Sequence, residues 1–173
     1  MKFATSTVQA SCQSPLGEIT MAATDKGLAG LWFERQKHLP AELQGSQAWP
    51  ENADHPILKM ASQQLTEYFA GERAAFELPL HLAGGTAFQQ SVWQELLKIE
   101  SGSTQSYGDI SRQIGKPTAF RAVGAAIGKN PVSVIVPCHR VIGSKGALTG
   151  YAGGIDRKTH LLRLEKALPE RQS

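Results

Sequence analysis

The first third of the chain alternates short apolar runs with turn signals. Two turn sequences, Ser14-Pro15-Leu16-Gly17 and Asp25-Lys26-Gly27, bound the runs Glu18–Ala23 and Leu28–Phe33 and follow an earlier polar segment. Apolar runs punctuated by Gly, Pro and Asp are typical of strands joined by tight turns. The pattern therefore predicts antiparallel strands, followed by a polar loop over residues 34–54.

Helical spacing of the apolar residues follows, from Pro56 to about Ala70. A short strand is predicted around residues 76–80, and the Gly84-Gly85 pair marks the best boundary between two lobes. Thr86 has the side chain of a helix N-cap, and the residues after it again show an apolar helical face. We therefore expect a second helix at the start of the second lobe.

Two more helices with a tight turn between them are predicted further along. The segment Ser106–Asp109 fits a capping box that opens a short helix, and Gly115-Lys116-Pro117 supplies the turn that ends it. Pro117 suits the first position of the next helix, which is expected to run to about Lys129. This arrangement is typical of a helix-turn-helix.

The second of these helices has two contrasting faces. The apolar face is expected to pack inward and comprises Phe120, Val123 and Ile127. The adjacent face has one guanidinium and otherwise small residues: Arg121, Gly124, Ala125 and Gly128. Glycine within a helix costs up to about 1 kcal/mol relative to alanine, so this face favours close approach to another helix or to a nucleic-acid backbone. Because only Thr118 and Arg121 could contact bases, the helix favours a minor-groove mode over sequence-specific major-groove recognition.

A β-branched run, Val134–Val136, leads directly into Pro137-Cys138-His139-Arg140. The run is typical of a buried strand, and proline cannot continue a sheet ladder. We therefore expect the chain to turn at Pro137 and to present Cys138 where the strand ends. The adjacent imidazole and guanidinium are groups that stabilise a thiolate, so the pattern predicts a reactive cysteine rather than an inert core thiol.

Composition narrows the class of protein. The 173 residues are 41% hydrophobic and 19% charged, as in ordinary soluble proteins, and no apolar stretch is long enough to span a membrane. Cys12 and Cys138 are too few for a disulfide framework or a cysteine-based zinc site, and the five histidines show no ligand spacing. The N-terminus lacks the apolar region of a secretory signal. We therefore expect a cytoplasmic protein with no metal, no cofactor and no membrane partner.

The net charge of +3 conceals an asymmetry. Residues 1–100 carry 7 Lys and Arg against 11 Asp and Glu, whereas residues 101–173 carry 11 against 4. The second half is therefore strongly basic, which indicates a polyanionic partner, most simply nucleic acid, or else a basic solvated face.

Five ordered motifs resemble those of the O6-alkylguanine-DNA alkyltransferases, also called methylated-DNA–protein-cysteine methyltransferases, and in particular the bacterial stand-alone type. The motifs are Ser106-Tyr107-Gly108, Arg121-Ala122-Val123-Gly124, Asn130-Pro131, Pro137-Cys138-His139-Arg140-Val141 and Tyr151-Ala152-Gly153-Gly154. The resemblance is strong over residues 86–168 and looser over the N-terminal lobe.

The resemblance implies direct repair of DNA by transfer of an alkyl group from guanine O6, or more weakly from thymine O4, to Cys138. His139 would be the base that reaches the thiol through a water, Glu165 its orienting acid, and Asn130 the brace of the cysteine turn. Tyr107 would turn the target phosphate and donate a hydrogen bond to the guanine. Arg121 would be the finger residue, whose side chain fills the space that the extruded nucleotide leaves in the duplex. The other expected DNA-binding residues are Thr118, Ala119, Gly124, Ala125 and Gly128. The base pocket would comprise Val141, Tyr151, Ala152 and Gly153.

The chain departs from some members of the family. The cysteines that bind structural zinc near the N-terminus of some members are absent here, so we expect no zinc site. The alkyltransferase-like proteins lack the acceptor cysteine, whereas this chain has Cys138 at that position. Two other classes stay open on residues alone. A DNA-binding regulator without chemistry would not need Cys138, and a Cys-His hydrolase usually brings its histidine from elsewhere in the chain.

The fold class that follows is α+β, with a small antiparallel sheet and a helix over residues 1–83 as a scaffold. Residues 84–173 are expected to form a mostly helical lobe that binds DNA and accepts the alkyl group. We expect a monomer that binds double-stranded DNA through the minor groove and reacts once per molecule, since a thioether, unlike a thioester, has no comparable hydrolytic route. Cooperativity on DNA is left open.

Overall fold

The computed structural model describes residues 1–168, which divide into two compact units. The first comprises Met1–Gly85 together with the segment Pro131–Ser133. Strands β1 (Val8–Ser14), β2 (Gly17–Thr24) and β3 (Gly27–Phe33) form its antiparallel sheet in the order β1-β2-β3. The predicted strands and hairpin turns of this region are therefore confirmed.

Helix α1 (Pro56–Phe69) packs against the sheet. Every residue of β3 is buried, and α1 contributes Leu58, Ala61 and Leu65 to the same core. The helix begins at the predicted proline, and the side chain of His55 caps it by accepting from the backbone N–H of Ile57. Sequence periodicity is therefore sufficient to locate this helix.

The strand predicted at residues 76–80 is wrong. Only one isolated bridge, between Leu28 and Leu80, links this segment to the sheet. The carbonyl of Pro79 accepts from Leu28, but Pro79 has no N–H to return, so the pairing does not extend into a ladder.

The second unit comprises Thr86–Asn130 and continues from Val134. Its first two helices, α2 (Ala87–Leu96) and α3 (Tyr107–Gln113), each begin with a capping box. Thr86 pairs with Gln89 in the first box, and Ser106 pairs with Asp109 in the second. Both predicted helix starts are confirmed, because a capping box is a local pattern that needs no distant partner.

Helix α4 (Phe120–Gly128) packs against α2 and α3 but begins later than predicted. Pro117 does not lie at its first position, since a separate turn, closed by the bond from the N–H of Ala119 to the carbonyl of Lys116, precedes the helix. The predicted inward-facing side is also partly wrong: Val123 and Ile127 are buried, but Phe120 is 52% exposed. As the first residue of α4, Phe120 precedes the part of the helix that packs.

The remaining elements of the second unit are two short strands and a helix. Strand β4 (Gln105–Ser106) pairs in parallel with β5 (Val141–Ile142), which follows the cysteine segment directly. Helix α5 (Ile155–Leu164) is the last element within residues 1–168. No helix within residues 1–168 is both long and apolar enough to cross a membrane.

Candidate active site

The cysteine lies on a single turn of 3-10 helix, Cys138–Arg140, with Pro137 immediately before it. The preceding residues Val134–Val136 are buried as predicted, but they form turns and not a strand. Val134 has a φ of 70°, in the left-handed region that β-branched residues rarely adopt. A left-handed residue at this position excludes a continuous strand. Cys138 therefore follows an irregular buried segment, and the surrounding structure must maintain its backbone conformation.

Asn130 connects this segment to the thiol. Its side-chain amide donates to the carbonyl of Val136 at 2.8 Å and to Sγ of Cys138 at 3.1 Å. Asn130 and Cys138 are only 5% and 4% exposed. The amide therefore braces the cysteine turn and also places a hydrogen-bond donor on the sulfur, where it stabilises the thiolate more than the thiol.

His139 and Glu165 form a buried pair beside the cysteine. Nε2 of His139 lies 2.9 Å from Oε1 of Glu165, and both side chains are almost fully buried. Glu165 follows α5 directly and caps its C-terminus. The opposite ring nitrogen, Nδ1 of His139, has no hydrogen-bond partner among residues 1–168. With Nε2–H donated to the carboxylate, Nδ1 carries the lone pair that can take a proton.

Arg140 shares the same carboxylate. Its Nε donates to Oε2 of Glu165 at 2.9 Å and its Nη2 to Oε1 at 2.7 Å, while Nη1 donates to the backbone carbonyl of Ile99. The guanidinium is thus committed to a bidentate pair with Glu165. The sequence pattern places Arg140 two residues from the cysteine as a thiolate-stabilising cation, whereas the structure assigns its charge to Glu165.

These contacts set the protonation states. Burial alone would raise the pKa of Glu165, but the hydrogen bonds from His139 and Arg140 outweigh it and lower that pKa to about 2. Burial lowers the pKa of His139, against the opposing effect of Glu165. At neutral pH the site therefore contains an ionised Glu165 and a neutral His139, which is the form of imidazole that can act as a base.

The thiol itself is held against ionisation by its surroundings. Burial raises the pKa of Cys138, while the hydrogen bond from Asn130 and the charge of Lys158 act in the opposite direction. Lys158 is a residue that the sequence patterns did not single out. It precedes Leu161 and Leu162, the buried residues of α5, by three and four positions, which places it on the same helical face. That spacing is the sequence signal that could have indicated a buried Lys158. It is easily overlooked, because a lysine on an apolar helix face usually extends its ammonium to solvent.

Tyr107, the first residue of α3, lies close to this centre. Its hydroxyl donates to the carbonyls of Thr149 and Gly150, at 3.1 and 3.4 Å. The ring lies beside Gly124 of α4, where a Cβ would be 3.8 Å from the nearest ring carbon. Burial raises the pKa of Tyr107, so its hydroxyl stays protonated and can donate at neutral pH.

The predicted pocket residues lie in β5 and in the segment that follows it. Val141 and Tyr151 are buried, Gly153 is buried, and Ala152 is half-buried. Arg157 donates to the carbonyl of Gly153 at 3.2 Å, which ties this segment to the start of α5. Val141 and the segment from Thr149 onward are joined through Lys158, whose ammonium donates to both carbonyls.

The predicted DNA-binding residues occupy the outer side of α4 and the turn before it. Arg121 and Ala125 are exposed, as is Thr118, whereas Gly124, Gly128 and Ala119 are half-buried. Lys116 and Lys129 are exposed at the two ends of the same segment. The surface therefore combines small side chains with three cations, and exposed Phe120 lies next to Arg121.

The described part of the chain contains no group of three or more His, Cys, Asp or Glu side chains that could hold a metal ion. Cys12 and Cys138 are both free. The chemistry available at the site is that of a buried thiol, a neutral imidazole oriented by a carboxylate, and a phenol.

Two family matches together account for nearly the whole chain. Residues 7–82 match the family described as 6-O-methylguanine DNA methyltransferase, ribonuclease-like domain, and residues 87–167 match 6-O-methylguanine DNA methyltransferase, DNA binding domain. The methylated-DNA–protein-cysteine methyltransferase of Methanosarcina acetivorans is 46% identical over 153 residues, covering 88% of this chain and 94% of that protein. The protein of the same name from Mycobacterium bovis is 49% identical over 154 residues, covering 89% of each.

Solved structures of proteins with related names are also similar to this chain over most of its length. The crystal structure of Mycobacterium tuberculosis OGT in complex with DNA matches with a TM-score of 0.82 and 46% identity, covering 92% of this chain and 93% of that one. An O6-methylguanine DNA methyltransferase from Methanococcus jannaschii matches with a TM-score of 0.60 and 26% identity, covering 95% and 97%.

Proposed function

The chain belongs to the 6-O-methylguanine DNA methyltransferase family, and we propose that it repairs DNA by moving an alkyl group from guanine O6 to Cys138. The observation that carries this proposal is the environment of the thiol. Cys138 is buried, accepts a hydrogen bond from Asn130 and adjoins a neutral imidazole paired with Glu165. A thiolate is the soft nucleophile that attack on an alkyl carbon requires.

The proton steps follow from the buried pair. The thiol proton passes through an intervening water to Nδ1 of His139, and Glu165 stabilises the imidazolium that forms. The thiolate then forms a new S–C bond while the C–O6 bond breaks, and the electron pair of that bond leaves with the guanine. Tyr107, whose hydroxyl stays protonated, exchanges its bond to the Thr149 carbonyl for one to the departing base.

The proposed DNA surface is the outer side of α4. The helices α3 and α4 pack together and would act as a helix-turn-helix, with Arg121 filling the space of the extruded nucleotide. Small residues at Gly124, Ala125 and Gly128 permit close approach to a minor groove. Extrusion costs a few kcal/mol and is least costly for a damaged or mispaired base, which favours alkylated sites. Thr118 and Ala119 would contact the backbone from the turn before α4, and O4-alkylthymine is the second proposed substrate.

The pocket for the extruded base would be formed by β5 and by the segment that leads into α5. Cys138, Val141 and Ala152 would offer backbone groups to the guanine edge, and Tyr151 and Gly153 would form part of the wall. The proposal includes a monomer that acts in the cytoplasm, where free thiols stay reduced, and an N-terminal unit that serves as a scaffold.

Reaction once per molecule follows from the product. The S-alkyl group is a thioether with no hydrolytic route comparable to that of a thioester, so nothing at this site regenerates the thiol. The protein is consumed as it repairs.

Intact mass measurement tests the proposal. Incubation with a duplex containing one O6-methylguanine is expected to add one methyl group to the protein, and peptide mapping is expected to locate it on Cys138 and not on Cys12. Cys138→Ala is the matched variant that should gain no mass. Release of many product molecules per protein would contradict reaction once per molecule, and an unmodified protein would contradict the transfer itself.

A further inference from the structure

Lys158 is a lysine with no exposed surface. It lies in α5 and is 0% exposed, although lysine is almost never fully buried unless its charge is partnered. Its ammonium donates to the backbone carbonyl of Val141 at 2.5 Å and to that of Thr149 at 2.9 Å. Neither partner carries a charge, so this cation is solvated by carbonyl dipoles and is not neutralised by a carboxylate.

The two carbonyls belong to different parts of the site. Val141 follows the cysteine turn Cys138–Arg140 directly, at the start of β5. Thr149 lies in the segment between β5 and α5, and its carbonyl also accepts from the Tyr107 hydroxyl. One ammonium therefore joins the cysteine turn to the segment that holds the tyrosine.

The charge of Lys158 also acts on the sulfur. Arg140 is paired with Glu165, and burial keeps His139 neutral, so neither of these neighbours leaves a net positive charge for the thiolate. Burial lowers the pKa of Lys158 to about 8, and the negative charge of ionised Cys138 opposes this decrease. The same interaction favours ionisation of Cys138. At neutral pH Lys158 therefore remains a cation.

We propose that Lys158 is a positioning residue for alkyl transfer: its ammonium holds the Val141 and Thr149 carbonyls in place and stabilises the Cys138 thiolate. The role deepens the proposed function and rests on it. Lys158 keeps its proton throughout the reaction. The thiol proton goes to His139, the S–C bond forms as the C–O6 bond breaks, and the fixed positive charge offsets the negative charge on sulfur before attack.

A purely structural clamp is the competing explanation, and it predicts no effect on thiol ionisation. The two are separated by the rate of Cys138 alkylation by iodoacetamide against pH, with modification located by peptide mapping. Lys158→Met keeps an unbranched apolar side chain and removes the charge. It is expected to raise the apparent pKa of Cys138 by about one unit, which slows alkylation about tenfold at neutral pH.

Two controls define this result. Lys145→Met removes the same charge from an exposed position in the segment after β5, and its profile is expected to match that of the unmodified chain. Lys158→Arg keeps the charge and is expected to shift the profile less than Lys158→Met does. A folded Lys158→Met protein with an unchanged profile would overturn the proposal.

A second measurement applies even if Lys158→Met does not fold. The lysine side chains are labelled with ¹³C at Cε, and the Lys158 signal is assigned from its loss in Lys158→Arg. A thiolate at Cys138 favours the ammonium form of Lys158, so the two groups titrate as a coupled pair. As the thiol ionises at alkaline pH, the Lys158 titration is expected to extend to higher pH in the unmodified chain than in Cys138→Ala, which has no thiol. Equal titrations would overturn the proposal. The remaining titratable groups around the site, Tyr107, His139 and Glu165, are unchanged in this comparison, as is the charge of Arg140.

These experiments contain no DNA. A flat alkylation comparison would exclude the electrostatic role of Lys158 while leaving methyl transfer to Cys138 intact. Absence of methyl transfer in the mass experiment would contradict the proposed function while leaving the two titrations interpretable.

Discussion

Oε1 of Glu165 lies 2.9 Å from Nε2 of His139, with both side chains almost fully buried. This contact determines which nitrogen of the imidazole is available as a base. Because ionised Glu165 accepts from Nε2–H, the lone pair is on Nδ1, which has no protein partner within residues 1–168. The carboxylate also holds Arg140, so its catalytic and structural contributions must be separated by experiment.

A double variant separates these two contributions. Glu165→Gln leaves the Arg140 guanidinium buried without its carboxylate, and we expect it to lower the free energy of unfolding by about 3–5 kcal/mol. Adding Arg140→Met removes the unpaired charge and should restore much of that loss, as measured by urea unfolding. If Glu165 orients His139, alkyl transfer in the double variant stays slow even though the fold has recovered. Recovery of the rate together with stability would show that Glu165 serves the fold alone.

Stability should decrease in acid because of the same pair. The pKa of Glu165 is lowered from an ordinary 4.5 to about 2, so its contribution to stability is present above pH 4.5 and is lost as the pH falls toward 2. This contribution is about 3 kcal/mol. The pKa of His139 is also lowered, and the unfolded chain takes up that proton first as the pH falls below 6.5. Both effects have the same sign, since the unfolded state binds more protons.

Urea unfolding between pH 7.5 and pH 3 measures this loss. We expect the midpoint to fall over that range, and the part of the decrease below pH 4.5 should be absent in Glu165→Gln. A surface control is Glu72→Gln, which removes an exposed carboxylate from the first unit and should leave the pH dependence as it is. A midpoint independent of pH would contradict the assigned protonation states.

Tyr107→Phe removes one hydroxyl and little else. The lost bond to Thr149 should change the free energy of unfolding by about 1 kcal/mol. If the hydroxyl donates to the departing base, transfer from methylated duplex should slow by about a hundredfold or more, the range typical of general acid catalysis. Rapid-quench measurement of methyl transfer gives the rate. Tyr68→Phe, on α1 of the first unit, is the matched control, and equal rates for the two variants would exclude the donor role.

Arg121→Ala tests the proposed extrusion of the base. The guanidinium is exposed on α4, away from the buried pair, so its removal should leave reaction with the free base O6-benzylguanine unchanged. Reaction with methylated duplex should slow substantially, because only the duplex requires a nucleotide to be replaced in the stack. Lys26→Ala removes an exposed charge from the first unit as a control. Equal losses on both substrates would assign Arg121 to the chemistry or the fold instead.

Local patterns in the sequence located the three-stranded sheet and the starts of α1, α2 and α3. The capping boxes at Thr86 and Ser106 and the two hairpin turns involve groups a few residues apart, so their hydrogen bonds can be read from spacing. The motif around Cys138 and the resemblance it carries likewise needed only order and spacing. The spacing of Glu165 from Leu161 and Leu162 permits burial but does not require it, and only the structure shows that the residue is buried.

The tertiary structure decided which charges meet. Arg140 was expected to favour a thiolate, yet its partner is Glu165, 25 residues away along the chain. The positive φ of Val134 and the exposure of Phe120 likewise depend on the residues that pack around them. The spacing of apolar residues along the chain does not indicate those neighbours. Lys158 shows the reason most clearly, because its acceptors lie 17 and 9 residues from it and are backbone carbonyls. Every residue has a backbone carbonyl, so a sequence does not indicate which carbonyls will accept hydrogen bonds from a buried cation.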